Sequence, residues 1–345
     1  MIRICTSLSN AGYSVILIGR KTKQSLPLAE MPFKQKRLNC FFTKGKLFYA
    51  VYNIRLFIFL LFKKMDGICA IDLDSILPCL FISKLKNIPR IYDAHELFCE
   101  MKEVAKRPGI YRIWKWIEKK SVPQFKYAYT VNQLIANEFK QLYNTDFKII
   151  RSIAVYDSNK INEQKEKFIL YQGAVNEGRS FETLIPAMQW VNCKLIICGD
   201  GNFMEEAKLL VKNLHLEDKI IFKGMLVPSE LKVYTSKAYI GITLFEKDAR
   251  SNYYSLANRF FDYIHAGTPQ LCVAYPIYEE LNNLHHIAVL VNNLSPEMIA
   301  ENLNNMLSDE SLWQKLHENC KEAAKELCWQ NEEQKLISFY KNIFG

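Results

Sequence analysis

The stretch NYYSLANRFFDYIHAGTPQLCVAYP, residues 252–276, predicts a loop, a helix and a buried strand in succession. The helix begins near Asn258, and the tetrapeptide AGTP ends it before the apolar strand restarts. Backbone N–H groups in the first turn of such a helix, together with the guanidinium of Arg259, are suited to bind a phosphate. Asp262 follows Asn258 by one turn, so its carboxylate is placed to accept hydrogen bonds from a ribose diol beside that phosphate.

Short apolar segments alternate with helical ones along the rest of the chain. The predicted strands before residue 155 include KRLNCFF, GICAIDLD, IPRIYDAHEL, YAYTVN and FKIIRSI. Those after it include KFILYQG, CKLIICGDG, KIIFKG, AYIGITLF and HIAVLVNN. This alternation predicts parallel sheets covered by helices on both faces. A chain of 345 residues that is 49% hydrophobic is long enough for two such doubly wound domains in tandem.

The domain boundaries follow from one polar segment. VYDSNKINEQKEK, residues 155–167, lacks hydrophobic periodicity and is predicted to be a linker. It separates an N-terminal domain, residues 1–154, from a C-terminal domain, residues 168–325. The final helical segment, residues 326–345, is expected to pack back on the N-terminal domain.

Positive charge is concentrated in the first half of the chain. Residues 1–150 contain 25 Lys and Arg against 11 Asp and Glu, a balance of +14, whereas the remainder has 20 against 25, a balance of −5. Such asymmetry predicts an anionic partner for the first domain, and a solvated lysine-rich face is the alternative. Nucleic-acid binding is not expected, because no recognised nucleic-acid-binding module is present.

The most apolar stretch is LFYAVYNIRLFIFLLFKK, residues 47–64, which Asn53 and Arg55 interrupt. It is shorter than the roughly 20 residues that a membrane span requires. The sequence favours a helix buried against a sheet, and a helix lying in a membrane interface is the alternative.

The ten cysteines are scattered along the chain without a C-x-x-C pair, and no signal peptide is recognised. This pattern predicts reduced thiols and a cytoplasmic location, with peripheral membrane contact allowed.

Two further strand ends in the second half carry glycine. YQGAVNEGR places Gly173 and Arg179 after one strand, and CGDGN places Gly199 and Gly201 after the next. Ligands bind at the carboxyl ends of parallel strands, where a glycine lets a ligand approach the backbone and an arginine can bind phosphate bidentately. Either stretch alone is more often a plain turn, since neither completes a dinucleotide fingerprint or a Walker motif.

Taken together, these motifs resemble those of the family 4 glycosyltransferases of the GT-B fold. YQG, EGR, LIPAM, CGDGN, IFKGMLVP and LANRFFDYIHAGTP fall in the order and approximate spacing of that family, and LSNAGYSVILIGR and IYDAHELF carry the resemblance in the first half. The resemblance implies two Rossmann-like domains facing a cleft. It also implies transfer of a glycosyl group, as in hexosyltransferases, from a nucleotide sugar to a glycan, lipid-linked or other acceptor.

The resemblance assigns catalytic roles to His95 and Arg179. Arg179 would bind the donor diphosphate and assist its departure, and His95 would face the donor sugar. Retention of anomeric configuration is implied, and closure of the domains would exclude water. The nucleotide sugar is a substrate, no cofactor is expected, and the DLD sequence at residues 72–74 is not expected to bind a metal.

The donor-binding residues implied by the resemblance are Gly173, Gly199, Gly201, Asn258, Arg259 and Asp262. Asn258 and Arg259 would lie beside the phosphates, and Asp262 would bind the ribose where the family usually has Glu. Without the resemblance, His95 is more often a structural histidine and Asp262 a solvated carboxylate.

The chain departs from the family pattern at two further positions. Tyr254 stands where the family often has a first Glu, and Ala174 replaces the basic residue that commonly follows the glycine of the first strand. Two alternatives to a transferase therefore stay open: a nucleotide-sugar epimerase of similar fold, and a non-catalytic member of the family that binds nucleotide without turnover.

The chain opens on a predicted helix, Ile2 to Asn10, followed by a strand that ends at Gly19. In similar proteins a strand precedes the corresponding helix. We therefore expect that the first strand of the N-terminal domain is missing from these 345 residues.

Overall fold

The computed structural model describes residues 1–22, 25, 27–42, 45–157, 164–247 and 250–345, and only the backbone of Lys46. The chain divides into two compact units. Unit 1 comprises residues 1–99, 103–151 and 331–345, and unit 2 comprises residues 100–102 and 152–330. Residues 158–163 of the predicted linker lie outside the described residues, and the last two residues of that linker already belong to a strand.

Helices lie between most of the strands in the first 151 residues. The elements are α1 (Ile2–Asn10), β1 (Ile16–Lys21), β2 (Lys34–Asn39), α2 (Gly45–Leu61), β3 (Ile68–Ile71), α3 (Ile76–Lys86), β4 (Arg90–Ala94), α4 (Lys102–Ala105), α5 (Pro108–Ser121), β5 (Tyr127–Thr130), α6 (Gln133–Tyr143) and β6 (Lys148–Ile149). The strands are parallel. They form a two-stranded sheet, β1–β2, and a four-stranded sheet in the order β3–β4–β5–β6. The predicted opening helix is confirmed as α1.

The alternation continues in the second half. Its elements are β7 (Glu166–Gln172), α7 (Phe181–Ala187), β8 (Lys194–Cys198), α8 (Met204–Asn213), β9 (Ile220–Gly224), α9 (Pro228–Lys237), β10 (Ala238–Thr243), α10 (Arg250–Tyr254), α11 (Asn258–His265), β11 (Gln270–Val273), α12 (Pro276–His285), β12 (Ala288–Val291), α13 (Pro296–Ser308), α14 (Glu310–Glu326) and α15 (Trp329–Phe344). From Asn331 onward, α15 belongs to unit 1, where the ring of Phe339 packs edge-on against Tyr129.

The sheet of unit 2 reverses its strand order at β7. Its six parallel strands run β12–β11–β10–β7–β8–β9, so the chain first builds outward from β7 to β9 and then returns to the other side of β7 with β10. Such a reversal leaves a crevice at the carboxyl ends of the two central strands, which is where ligands bind in doubly wound sheets. The predicted α/β class with parallel, doubly wound sheets is confirmed.

Helix α11 is anchored tightly beneath this crevice. The hydroxyl of Tyr263 donates to the carbonyl of Leu170 on β7 at 2.8 Å, and both residues are fully buried. Gly241 on β10 makes room for the Tyr263 ring, because a Cβ there would lie 2.5 Å from it. The side chain of Gln270 donates to the carbonyl of Phe260 at 3.1 Å. These contacts fix the helix that carries Asn258, Arg259 and Asp262.

Helix α2 is only partly buried. Leu56 and Leu60 are 4% exposed and face the interior, whereas Ile54 and Ile58 are more than half exposed on the opposite side. The prediction of a helix buried against a sheet therefore holds for one side of α2 only, because apolar residues occupy both sides of it. Within the described part of the chain, every helix is too short or too polar to span a membrane.

Candidate active site

The loops after β7 and β8 interlock through their backbones at the switch point of unit 2. The N–H of Gly173 donates to the carbonyl of Cys198 at 2.9 Å, and that of Val175 donates to the carbonyl of Asp200 at 3.1 Å. A Cβ on Gly199 would lie 1.8 Å from the Gly173 oxygen, and one on Gly201 would lie 2.2 Å from the Val175 oxygen. Both glycines are therefore required for the close packing of the two loops, at the edge where they are predicted to border a nucleotide.

Asp262 lies half-buried on α11, and its carboxylate is held in place from β7. The side-chain amide of Gln172 donates to Oδ2 of Asp262 at 2.9 Å. The amide oxygen of Gln172 in turn accepts from the hydroxyl of Thr235 at 2.6 Å, which fixes the orientation of the amide. Gln172 is 3% exposed. This chain of hydrogen bonds orients the carboxylate that the sequence assigns to the ribose.

Arg259 is buried at the start of α11, with only 7% exposure. Its guanidinium carbon lies 4.6 Å from the ring centre of Tyr171 and 4.5 Å from that of Phe245. Nη1 donates to the Tyr171 hydroxyl at 3.1 Å and to the Gln172 carbonyl at 3.3 Å, and Nη2 donates to the Leu244 carbonyl at 3.4 Å. Arg259 thus ties the carboxyl ends of β7 and β10 together, and it places a positive charge at the switch point.

Arg179 lies in the loop after β7 and faces the same aromatic ring. Its guanidinium carbon is 4.8 Å from the ring centre of Phe245, and its Nη1 donates to Oδ1 of Asn252 at 3.3 Å. The amide nitrogen of Asn252 donates to the carbonyl of Gly178 at 3.3 Å, which connects α10 to this loop. The guanidinium groups of Arg179 and Arg259 therefore lie over one ring.

This edge of unit 2 has the chemistry of an anion site. The first turn of α11 presents a positive dipole end beside the two arginines, and both features favour phosphate groups. Asn258 is the first residue of α11, and its side chain is exposed. Gly173 lies directly against Arg259, since a Cβ there would be 3.3 Å from Nη1. Of the residues predicted to bind the donor, Gly173, Arg259 and Asp262 all pack against the end of β7.

His95 lies in unit 1, directly after β4. Its backbone N–H donates to Oδ1 of Asp72 at 2.9 Å, and its Nε2 lies 3.3 Å from Oδ1 of Asp93. Asp72 belongs to the DLD sequence, where its left-handed backbone (φ 52°) turns the chain after β3. Among the residues that the structure describes, no group of three or more His, Cys, Asp or Glu side chains is arranged to hold a metal ion.

The sequence did not single out four residues that organise the site of unit 2: Tyr171, Gln172, Phe245 and Asn252. Gln172 is the last residue but one of the predicted strand segment KFILYQG, and Phe245 ends AYIGITLF, so their positions near strand ends were the available signal. A fifth residue, Lys102, comes from residues 100–102, which belong to unit 2. Its Nζ lies 3.0 Å from Oε2 of Glu246, and a Cβ on Gly178 would lie 3.7 Å from it.

Comparison with known proteins identifies relatives of this chain. The alpha-monoglucosyldiacylglycerol synthase of Streptococcus pneumoniae is 25% identical over 202 residues, which cover 56% of this chain and 40% of the synthase. The O-antigen chain mannosyltransferase RfbU of Salmonella typhimurium is 28% identical over 132 residues, which cover 36% of this chain and 37% of RfbU. The matched part of the chain thus spans less than half of the length of these curated relatives.

Solved structures share the fold over nearly the whole chain. The sucrose-phosphate synthase of Thermosynechococcus elongatus superimposes with a TM-score of 0.81 at 17% identity, covering 99% of this chain and 92% of the synthase. WaaG, a glycosyltransferase involved in lipopolysaccharide biosynthesis, gives 0.74 at 16% identity, covering 97% and 93%. HepE of Anabaena, solved with UDP-glucose, gives 0.71 at 12% identity, covering 90% and 86%.

The model of the family described as glycosyl transferases group 1 matches residues 156–327. This range contains the interlocked glycine loops, the two arginines over Phe245 and the carboxylate of Asp262. Residues 156–327, just under half of the chain, therefore belong to the glycosyl transferases group 1 family.

Proposed function

We propose that the protein is a glycosyltransferase that moves a sugar from a nucleotide-sugar donor to a glycan or lipid-linked acceptor. The observation that carries this proposal is the carboxylate of Asp262, held by Gln172 at the switch point of unit 2, beside the guanidinium groups of Arg179 and Arg259. A nucleoside diphosphate offers the matching groups, since its ribose diol donates hydrogen bonds to a carboxylate and its diphosphate binds cations.

Four of the predicted residues receive a role in this proposal. Asp262 binds the ribose, while Arg179 and the first turn of α11 neutralise the diphosphate and stabilise the charge that develops on it as the sugar departs. Arg259 contributes positive potential from its buried position. Because arginines and backbone N–H groups supply this stabilisation, the reaction is proposed to be metal-independent. Retention of configuration follows the family resemblance, and His95 is assigned to the donor sugar or its leaving phosphate.

The acceptor side is proposed to contact a membrane. Helices α2 and α3 pack on each other in unit 1 and leave large apolar side chains in solvent. These are Ile54 and Ile58 on α2, Phe62 directly after it, and Phe81 and Leu85 on α3, each at least 51% exposed. Lys63, Lys64 and Lys84 are exposed beside them. Apolar residues flanked by lysines fit an anionic lipid surface, which is consistent with a cytoplasmic protein bound peripherally to the membrane.

A transfer assay tests the proposed function. Nucleotide sugars are first screened by the rise in melting temperature that they produce, and stabilising donors are then incubated with membrane lipid extracts and with oligosaccharides. We expect release of nucleoside diphosphate that depends on the acceptor, continues in EDTA, and gives a product whose NMR coupling constant shows retained anomeric configuration. Conversion of the donor without an acceptor would instead identify an epimerase. Binding without turnover would identify a non-catalytic member, and absence of stabilisation by every donor would contradict the proposal.

A further inference from the structure

A cluster of four side chains surrounds the carboxyl end of β4 in unit 1. Asp93 is the fourth residue of β4 and His95 follows the strand, so both belong to the edge at which the strand ends. Asp93 is 1% exposed, and its two carboxylate oxygens have different partners. Oδ1 lies 3.3 Å from Nε2 of His95, and Oδ2 accepts a hydrogen bond from the hydroxyl of Tyr129 at 2.9 Å. Asp72 completes the cluster by accepting the His95 backbone N–H.

Tyr129 is itself immobilised. It is 1% exposed on β5, its ring packs edge-on against Phe339 at 5.4 Å, and its hydroxyl lies 3.9 Å from the thiol of Cys69 on β3. The hydrogen bond from Tyr129 therefore fixes the rotamer of the Asp93 carboxylate. The carboxylate in turn lies at ion-pair distance from the buried Nε2 of His95, which makes no hydrogen bond of good geometry to any residue that the structure describes, and the His95 side chain keeps 28% exposure. The contacts therefore run from Tyr129 in the core through Asp93 to the partly exposed His95.

The electrostatics of the cluster favour a positive charge on His95. Burial and the amino group of Met1 both lower the pKa of His95, but Asp93 and Asp72 outweigh them and raise it from 6.5 to about 9. Burial also raises the pKa of Asp72 to about 6, although His95 acts in the opposite direction. Near pH 7.5, above the pKa of Asp72 and below that of His95, the Asp72 carboxyl is ionised and the imidazole holds a proton.

We propose that Asp93, oriented by Tyr129, is a positioning residue that keeps His95 protonated and fixes the direction of its ring. This inference rests on the proposed function, in which His95 contacts the donor. A fixed cation stabilises negative charge on the departing phosphate, whereas a neutral imidazole of undefined tautomer gives a weaker and less directed interaction. Asp93 acts through His95 and does not itself contact the substrate.

NMR titration together with pH-dependent kinetics tests this inference. The imidazole resonance of His95 is assigned by its loss in a His95→Gln variant and is followed from pH 5 to pH 10. In the wild-type chain we expect a midpoint near 9. In Asp93→Asn, which keeps the shape of the side chain and removes its charge, we expect a midpoint of about 6.5 or lower. If transfer requires the cation, kcat of the variant falls about 30-fold relative to wild type at pH 8 and less than about twofold at pH 6.

Asp74→Asn serves as the matched control. Asp74 is another carboxyl in the segment after β3, and its pKa is raised to about 6 by burial against the opposing effect of Arg20, so its removal should leave the His95 midpoint unchanged. A wild-type midpoint near 6.5, or the same midpoint in Asp93→Asn and wild type, would overturn the inference. If the variant fails to fold, the wild-type titration alone still shows whether the pKa of His95 is raised. Absence of turnover in wild type with every donor would contradict the proposed function instead, because the titration reports the charge of His95 without any substrate.

Discussion

Replacing Gly199 with alanine should destabilise unit 2 strongly. The φ of Gly199 is 153°, a backbone conformation that costs an L-residue about 1–3 kcal/mol. The new Cβ would also lie 1.8 Å from the carbonyl oxygen of Gly173. The backbone of Gly173 is itself held by the hydrogen bond from its N–H to Cys198, so overpacking adds about 1–3 kcal/mol. The sum, about 2–6 kcal/mol, corresponds to a fall in melting temperature of at least about 4 °C for a unit of this size.

Gly224→Ala is the matched control for this experiment. Gly224 ends β9 at the same edge of the sheet and also has a positive φ, 67°, but a Cβ there would have no atom within 4 Å. It should therefore cost only the backbone strain of a left-handed residue, about 1–2 kcal/mol. Thermal and urea unfolding of both variants separate the two contributions. A Gly199→Ala protein that is no less stable than Gly224→Ala would refute the assignment of Gly199 to close loop packing.

Three further predictions concern the proposed roles. Arg179→Lys keeps the charge but loses the planar guanidinium, so kcat should fall about 100-fold with a smaller loss of donor affinity. Equal kcat values for the variant and wild type would show that Arg179 has no role in catalysis. Folding raises the pKa of His95 from 6.5 to about 9, so protonated His95 should contribute up to about 3 kcal/mol of stability below pH 6.5. This contribution should be lost as the pH rises through 9. If the urea midpoint of a His95→Gln protein depends on pH as that of wild type does, this prediction is wrong. The double variant Ile58→Glu with Phe62→Glu should lose binding to vesicles of anionic lipid while its melting temperature stays unchanged. If wild type binds neutral and anionic vesicles equally and its binding is insensitive to salt, membrane docking is wrong.

The sequence was sufficient to predict the parallel α/β class, because continuous apolar strands such as AYIGITLF alternate with helical segments. It also predicted α11 and the strand that follows it, since the loop, the helix and AGTP are adjacent in the chain. These features depend on local sequence, where hydrophobic periodicity and helix-ending residues act over a few positions.

The supporting contacts depend on tertiary packing and were not predictable in the same way. The hydrogen bond between Gln172 and Asp262 joins residues 90 positions apart, and that between Tyr129 and Asp93 joins residues 36 positions apart. The burial of Arg259 between two aromatic rings also follows from strand order, because Tyr171 lies on β7 and Phe245 follows β10, which are neighbours only after the chain reverses direction. A single sequence contains no local signal for such pairs.

We propose that the switch point of unit 2 binds a nucleoside diphosphate through Asp262. Titration calorimetry with UDP, GDP and ADP measures this directly on wild type, on Asp262→Ala, and on the control Asp218→Ala, whose exposed carboxylate precedes β9 at the opposite end of the strands. A hydrogen bond to a charged group is worth about 1.5–3 kcal/mol, so Asp262→Ala should bind the preferred nucleotide about 10- to 150-fold more weakly, and Asp218→Ala should bind it as wild type does. Equal affinity for wild type and Asp262→Ala would exclude Asp262 from the nucleotide site, and no binding of any nucleoside diphosphate to wild type would contradict the proposed donor site itself.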